Sequence, residues 1–111
     1  MQTRTPRTIC LDFDRVIHKY SKGWKDGSIY DKPVPGAREA IKRLIKAGFV
    51  VIILTVKSSR GETRNREIRT WLKHYGFPQV EVTNIKPAAI AYIDDRAIRF
   101  TNWVDIIHYF L

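Results

Sequence analysis

The chain has 111 residues and a formal net charge of +9, and 44% of its residues are hydrophobic. This length and apolar fraction predict a single globular domain over residues 1–111 and exclude a disordered tail. No apolar run is long enough for a membrane helix, no segment has the layout of a signal peptide, and the single Cys10 can form no internal disulfide. We therefore expect a cytoplasmic protein with no membrane partner.

The apolar pattern predicts strands that alternate with helices. The first strand covers residues 8–13, after a mobile arm at 1–7, and is followed by a short hairpin flap at 15–34. Further strands are predicted over 49–54, 80–83 and 89–93, helices over 37–47 and 62–75, and a closing helix over 103–111 whose apolar residues pack on the sheet.

Strands that alternate with helices favour an α/β fold with a mostly parallel sheet, arranged as a three-layer α/β/α sandwich. In such sheets, ligands bind beyond the carboxyl ends of the strands, where the strand order reverses. Residues that follow the predicted strands are therefore the first candidates for a functional site.

Two carboxylates end the first strand. Asp12 and Asp14 are two residues apart, so both side chains leave the strand on the same side. Because the two charges repel, a bound cation, or a substrate that needs the two acids in different protonation states, would explain the pair. In isolation, the pattern is better explained by acids that form a turn.

Other polar residues follow strands of the same kind. Thr55 follows an apolar strand, Lys86 precedes the last strand, and Asp94 and Asp95 come directly after it. Taken singly, each has an ordinary explanation as a strand-end, loop or turn residue. Asp12, Thr55 and Asp94 all lie at the carboxyl ends of predicted strands, so these three are expected to meet at one edge of the sheet.

The order and placement of these residues resemble the haloacid dehalogenase (HAD) superfamily, from Thr8 to about Phe100. The segment that ends in Asp12-Phe13-Asp14 is similar to the first motif of that family, and Thr55, Lys86 and Asp94-Asp95 are similar to the other three. The resemblance implies a Rossmann-like, HAD-like sandwich that hydrolyses phosphate monoesters with Mg²⁺ through an aspartyl-phosphate. It implies a phosphorylated substrate as the partner.

The resemblance also implies roles for individual residues. Asp12 would be the nucleophile, and Asp14 would be the general acid and base. Thr55 and Lys86 would bind and balance the transferred phosphoryl group. Metal ligands would be Asp12, Asp94 and the carbonyl of Asp14, with Asp95 bound either directly or behind the ligands. Backbone N–H groups near Phe13 and Asp14 would hold phosphoryl oxygens, and the further substrate contacts would be Arg15, Val56 and Lys57.

The chain departs from this family at Arg15, where relatives very often carry glycine, and at Lys57, where close relatives tend to carry arginine. If the backbone at Arg15 has a positive φ, the side chain adds strain of about 1 kcal/mol. Alternatively, the arginine reaches the substrate phosphate.

No cap domain is predicted, so the site is expected to be open. The basic residues of the second helix and of the loop before it make a nucleotide or a nucleic-acid end a candidate substrate, although a solvated helix face is the better explanation of this run. The alternative to a phosphatase is a catalytically weak module that binds nucleic acid or a protein through its basic surface. Phosphoryl transfer to an acceptor other than water is also left open.

Overall fold

The computed structural model describes residues 7–24, 28–55, 62–97 and 99–111. In the described chain, none of the helices combines the length and the apolar composition that a bilayer crossing demands. The elements, in chain order, are β1 (Thr8–Asp12), α1 (Ala37–Lys46), β2 (Val50–Leu54), α2 (Glu62–His74), β3 (Glu81–Thr83), β4 (Ala91–Ile93) and α3 (Trp103–His108).

The four strands form one parallel sheet in the order β3-β2-β1-β4. β1 lies between β2 and β4, and its Cys10 is in register with Ile52 on one side and with Tyr92 on the other. A strand with neighbours on both sides and little exposed surface needs an apolar sequence, which β1 and β2 have. The predicted α/β fold with a parallel sheet is confirmed.

The main core lies on one face of the sheet. Side chains alternate along a strand, so Ile9 and Leu11 of β1 share a face with Val51 and Ile53 of β2. These residues belong to one buried cluster with Ile41 of α1 and with Ile68, Trp71 and Leu72 of α2. Both long helices therefore pack on the same face of the sheet.

The opposite face of the sheet is not packed against α1 or α2. Cys10 and Ile52 point to it and are buried, but they are not part of the cluster beneath α1 and α2. The connection from β3 to β4, residues 84–90, contains no helix, and its Lys86 lies 4.4 Å from the ring centroid of Tyr92 on this face. The second helical layer of the predicted three-layer sandwich stays a prediction.

The helix α3 does not pack on the sheet. It contains no buried residue, and Trp103 and Val104 are each 69% exposed. The helix starts from local hydrogen bonds, since the Asn102 side chain accepts from the backbone N–H of Asp105 at 2.9 Å. The prediction that its apolar residues pack on the sheet is wrong, because none of the side chains of this short helix is buried.

The predicted flap contains no strand among its described residues. A single antiparallel bridge joins His18 to Pro33. It is flanked by hydrogen bonds from Lys19 N–H to the Lys32 carbonyl at 2.9 Å and from Val34 N–H to the Ile17 carbonyl at 2.8 Å. The segment therefore closes as a loop at its base, while residues 25–27 of the predicted hairpin and 1–6 of the predicted arm lie outside the described residues.

The turn from α1 to β2 is held by the residue that precedes β1. Gly48 has φ 97°, a left-handed conformation that favours glycine, and it follows the end of α1, one residue after the predicted helix bound at 47. The Arg7 guanidinium donates to the carbonyls of Ala47 at 2.6 Å and Gly48 at 3.2 Å and lies 4.5 Å from the ring centroid of Phe49. These contacts tie the start of β1 to the end of α1.

Candidate active site

The strand order reverses between β1 and β4. The chain moves from β1 to β2 and then to β3 in one direction, and it returns past β1 to form β4 on the other side. In parallel α/β sheets, the carboxyl ends of the strands at such a reversal leave a crevice that holds ligands. Asp12 ends β1, and Asp94 and Asp95 follow β4, so these three acids lie at that crevice.

The three carboxylates lie close together. Asp12, Asp94 and Asp95 each offer one oxygen, and these oxygens all lie within 4.8 Å of one another. Carboxylate oxygens are the ligands that Mg²⁺ prefers, and a divalent ion would offset their mutual repulsion. The donor set therefore fits the cation that the sequence predicts.

Burial and the neighbouring acids both act on the carboxyl of Asp12. Burial, followed by the negative charge of Asp94, raises the pKa of Asp12 from an ordinary 3.8 to about 6, and the charges of Asp14 and Asp95 act in the same direction. A hydrogen bond from the backbone N–H of Phe13 to the Asp12 carboxylate acts in the opposite direction. A cation beside Asp12 would favour the ionised form.

A cleft of about 240 Å³ opens beside the cluster. Thr55, at the end of β2, lines this cleft together with Asp12 and Asp14, as the parallel register of β1 and β2 requires. Thr55 is only 4% exposed, and its backbone N–H donates to the Thr83 carbonyl at 3.1 Å. The hydroxyl-bearing residue predicted from the sequence therefore lies at the same site as the two acids.

Lys86 lies near two of the same acids. It lines a neighbouring cavity of about 190 Å³ that also contacts Asp12 and Asp94, and it is not part of the lining of the cleft that holds Thr55. The ammonium group stands over the Tyr92 ring. The structure thus brings Lys86 next to the cluster.

Arg15 has the positive φ that the sequence raised as a possibility, and its side chain contacts an acid of the site. Its contact with a substrate phosphate stays a prediction. Its φ is 72°, the left-handed region in which a side chain adds strain. Its Nε lies 3.6 Å from Oδ2 of Asp95, and the residue lines the cleft. The arginine therefore places a positive charge at the mouth of the site.

The side chain of Phe13 does not face the cleft, because it is fully buried in the core. Only its backbone can act there, in line with the predicted role of backbone N–H groups in binding phosphoryl oxygens. Val56 and Lys57, the other two predicted substrate contacts, lie outside the described residues.

His18 is a site residue that sequence reasoning missed. Its Nδ1 lies 2.9 Å from Oδ1 of Asp14, and the side chain of His18 is fully buried. The carboxylate of Asp14 thus faces His18 and is not part of the cluster formed by Asp12, Asp94 and Asp95. The only signal in the sequence was that His18 lies four residues after Asp14. It was missed because the three histidines of the sequence do not have the spacing of a metal site.

The chain matches no model of a known protein family, no curated protein and no solved structure.

Proposed function

We propose that this protein is a Mg²⁺-dependent phosphohydrolase that cleaves a phosphate monoester through an aspartyl-phosphate on Asp12. The observation that carries the proposal is the meeting of Asp12, Asp94 and Asp95 within 4.8 Å at the reversal of strand order, beside the buried Thr55. A turn or a solvated acidic surface does not require such distant segments to converge.

The side chains divide the reaction between them. A carboxylate oxygen of Asp12 attacks phosphorus while the bond to the leaving oxygen breaks, and Asp14 gives that oxygen its proton. Asp14 then removes a proton from the water that hydrolyses the aspartyl-phosphate. The hydroxyl of Thr55 donates to a phosphoryl oxygen, and Lys86 offsets the negative charge.

Asp12, Asp94 and Asp95 would hold the metal ion, with the backbone carbonyl of Asp14 as a further ligand. When bound, Mg²⁺ supplies positive charge that lets an anionic carboxylate approach an anionic phosphate. The oxygen-only donor set supports this choice of ion over softer metals.

The open site supports a large substrate. A nucleotide or a nucleic-acid end is our candidate, because the cleft is lined by Arg15 and Arg96 as well as by the exposed Trp24. A planar base could stack on the indole while the cations attract the phosphate. We also propose that the fold is a three-layer, Rossmann-like HAD sandwich and that the protein is cytoplasmic.

The test is hydrolysis of p-nitrophenyl phosphate with Mg²⁺ and with EDTA. We expect turnover that needs the metal and that Asp12→Asn abolishes. Glu39→Gln is the matched control, since it removes one carboxylate from the exposed surface of α1 and should keep full activity. Metal-independent turnover, or equal activity in Asp12→Asn, would contradict the proposal.

One observation favours a second function, that of a catalytically weak binding module. Arg15 already pairs with Asp95 at the predicted metal site, and Arg66 of α2 lines two surface clefts of about 410 and 680 Å³. Such a module would bind an oligonucleotide with strong salt dependence and show no turnover across a panel of phosphate esters. Metal-dependent hydrolysis would exclude this alternative.

A further inference from the structure

His18 has both ring nitrogens in hydrogen bonds. The backbone N–H of Asp31 donates to Nε2 at 3.0 Å, and Nδ1 lies 2.9 Å from Oδ1 of Asp14. A backbone N–H can only donate, so Nε2 must carry a lone pair as the acceptor. The ring proton therefore resides on Nδ1, and His18 donates to Asp14.

The ring of His18 is fixed in place by aromatic side chains. It stacks on Phe13 with centroids 5.3 Å apart and an interplanar angle of 16°. Tyr20, Tyr30 and Trp71 approach it at angles of 63°, 77° and 84°. Rotation of the imidazole would break both hydrogen bonds and displace these rings, so its Nδ1–H keeps one direction.

Asp31, which donates its N–H to Nε2 of His18, is itself held by hydrogen bonds. The Trp71 indole N–H donates to the Asp31 carbonyl at 2.9 Å, and the Ser21 N–H donates to the Asp31 carboxylate at 2.8 Å. A continuous set of contacts therefore runs from α2 through Asp31 and His18 to Asp14. This set holds one oxygen of the Asp14 carboxyl in a defined place beside the cleft.

We propose that His18 is a positioning residue that orients Asp14 for proton transfer to the leaving oxygen, an inference that rests on the proposed phosphohydrolase function. Proton transfer requires the acid within hydrogen-bond distance of the leaving oxygen, and a carboxyl free to rotate spends less time there. The effect of His18 should then depend on whether the leaving group needs a proton.

The closing experiment compares two substrates in wild type and in His18→Phe, which keeps an aromatic ring but removes the donor. Nitrophenolate leaves as a stable anion, whereas the alkoxide released from benzyl phosphate must be protonated. We expect His18→Phe to lower kcat/KM for benzyl phosphate by roughly tenfold or more, and for p-nitrophenyl phosphate by about threefold or less. Equal losses on both substrates, or no loss on either, would overturn the positioning role.

His18→Asn supplies rescue, because its amide can donate from nearly the position of Nδ1. We expect it to recover most of the benzyl phosphate activity that His18→Phe loses. If it recovers none although circular dichroism shows a native fold, the positioning role is overturned.

Nitrogen-15 NMR of histidine-labelled wild type tests the geometry without any variant and without turnover. We expect the Nδ1–H tautomer for His18. The Nε2–H tautomer would overturn the positioning role even in an active enzyme. Absence of turnover by wild type with the Nδ1–H tautomer present would instead reject the proposed function, and with it the role of His18 in that reaction.

Discussion

Replacement of Asp12 by asparagine should stabilise the metal-free protein at neutral and alkaline pH while it abolishes turnover. The carboxylate of Asp12 is held next to two other acids, and its pKa is raised to about 6. A raised pKa means that the folded protein prefers the neutral carboxyl. The neutral Asp12 carboxyl contributes its full stabilisation to the folded protein below the unfolded pKa near 3.8. This contribution is lost as the pH rises through the folded pKa of about 6.

The size of this effect follows from the pKa difference. A shift of about two pKa units corresponds to roughly 3 kcal/mol, since each unit is about 1.4 kcal/mol. Asp12 borders an open cleft, so solvent screening reduces the expected value to about 1–2 kcal/mol. For a domain of this length, that difference corresponds to a change in Tm of roughly 4–10 °C.

Thermal unfolding followed by circular dichroism in EDTA measures the difference. At pH 8, Asp12→Asn should melt above wild type. At pH 4 the difference should be much smaller, because the Asp12 carboxyl is then uncharged in the folded protein and about half protonated in the unfolded chain. Glu39→Gln removes a carboxylate outside the cluster and should not reproduce the gain at pH 8. A constant difference between wild type and Asp12→Asn from pH 4 to pH 8 would refute the electrostatic reasoning.

Three further predictions concern the same site. Millimolar Mg²⁺ should raise the Tm of wild type at pH 8 in a fluorescence-monitored melt, less so below pH 6, and not at all in Asp94→Asn, and an equal rise in that variant would contradict the metal site. Because Arg15 has φ 72°, Arg15→Gly should raise the free energy of unfolding in urea by about 0.5–1 kcal/mol, whereas an equal gain from Arg15→Ala would exclude backbone strain as the cause. Trp24→Ala should raise KM for nucleoside monophosphates about fivefold or more and leave p-nitrophenyl phosphate nearly unchanged in steady-state assays, and equal changes would argue against base stacking.

The secondary structure follows from the local pattern of the sequence. The apolar run that ends at Asp12 and the second run before Thr55 give β1 and β2, each within a residue of the predicted bounds. Strand-end positions then fix which acids meet, because parallel strands carry their carboxyl ends to one edge. The convergence of Asp12, Asp94 and Asp95 was predictable for that reason.

Contacts that depend on loops were not predictable in the same way. The position of His18 depends on the single bridge to Pro33 and on the ring of Trp71, which comes from a distant helix. Neither contact has a periodic signature in the sequence. The packing of α3 was mispredicted for a different reason. An apolar stripe indicates which face a helix could bury, but it does not identify the surface that the helix would pack on.

The pairing of β1 with β4 has a consequence for how the protein assembles. The first and the last strands of the sheet lie side by side, so Asp12 and the acids after β4 become neighbours only at the end of the longest loop closure in the sheet. A partly formed sheet that lacks β4 holds no complete set of carboxylates. Binding of the proposed divalent ion should therefore require the pairing of β1 with β4, and cation affinity would then report whether these two strands have paired.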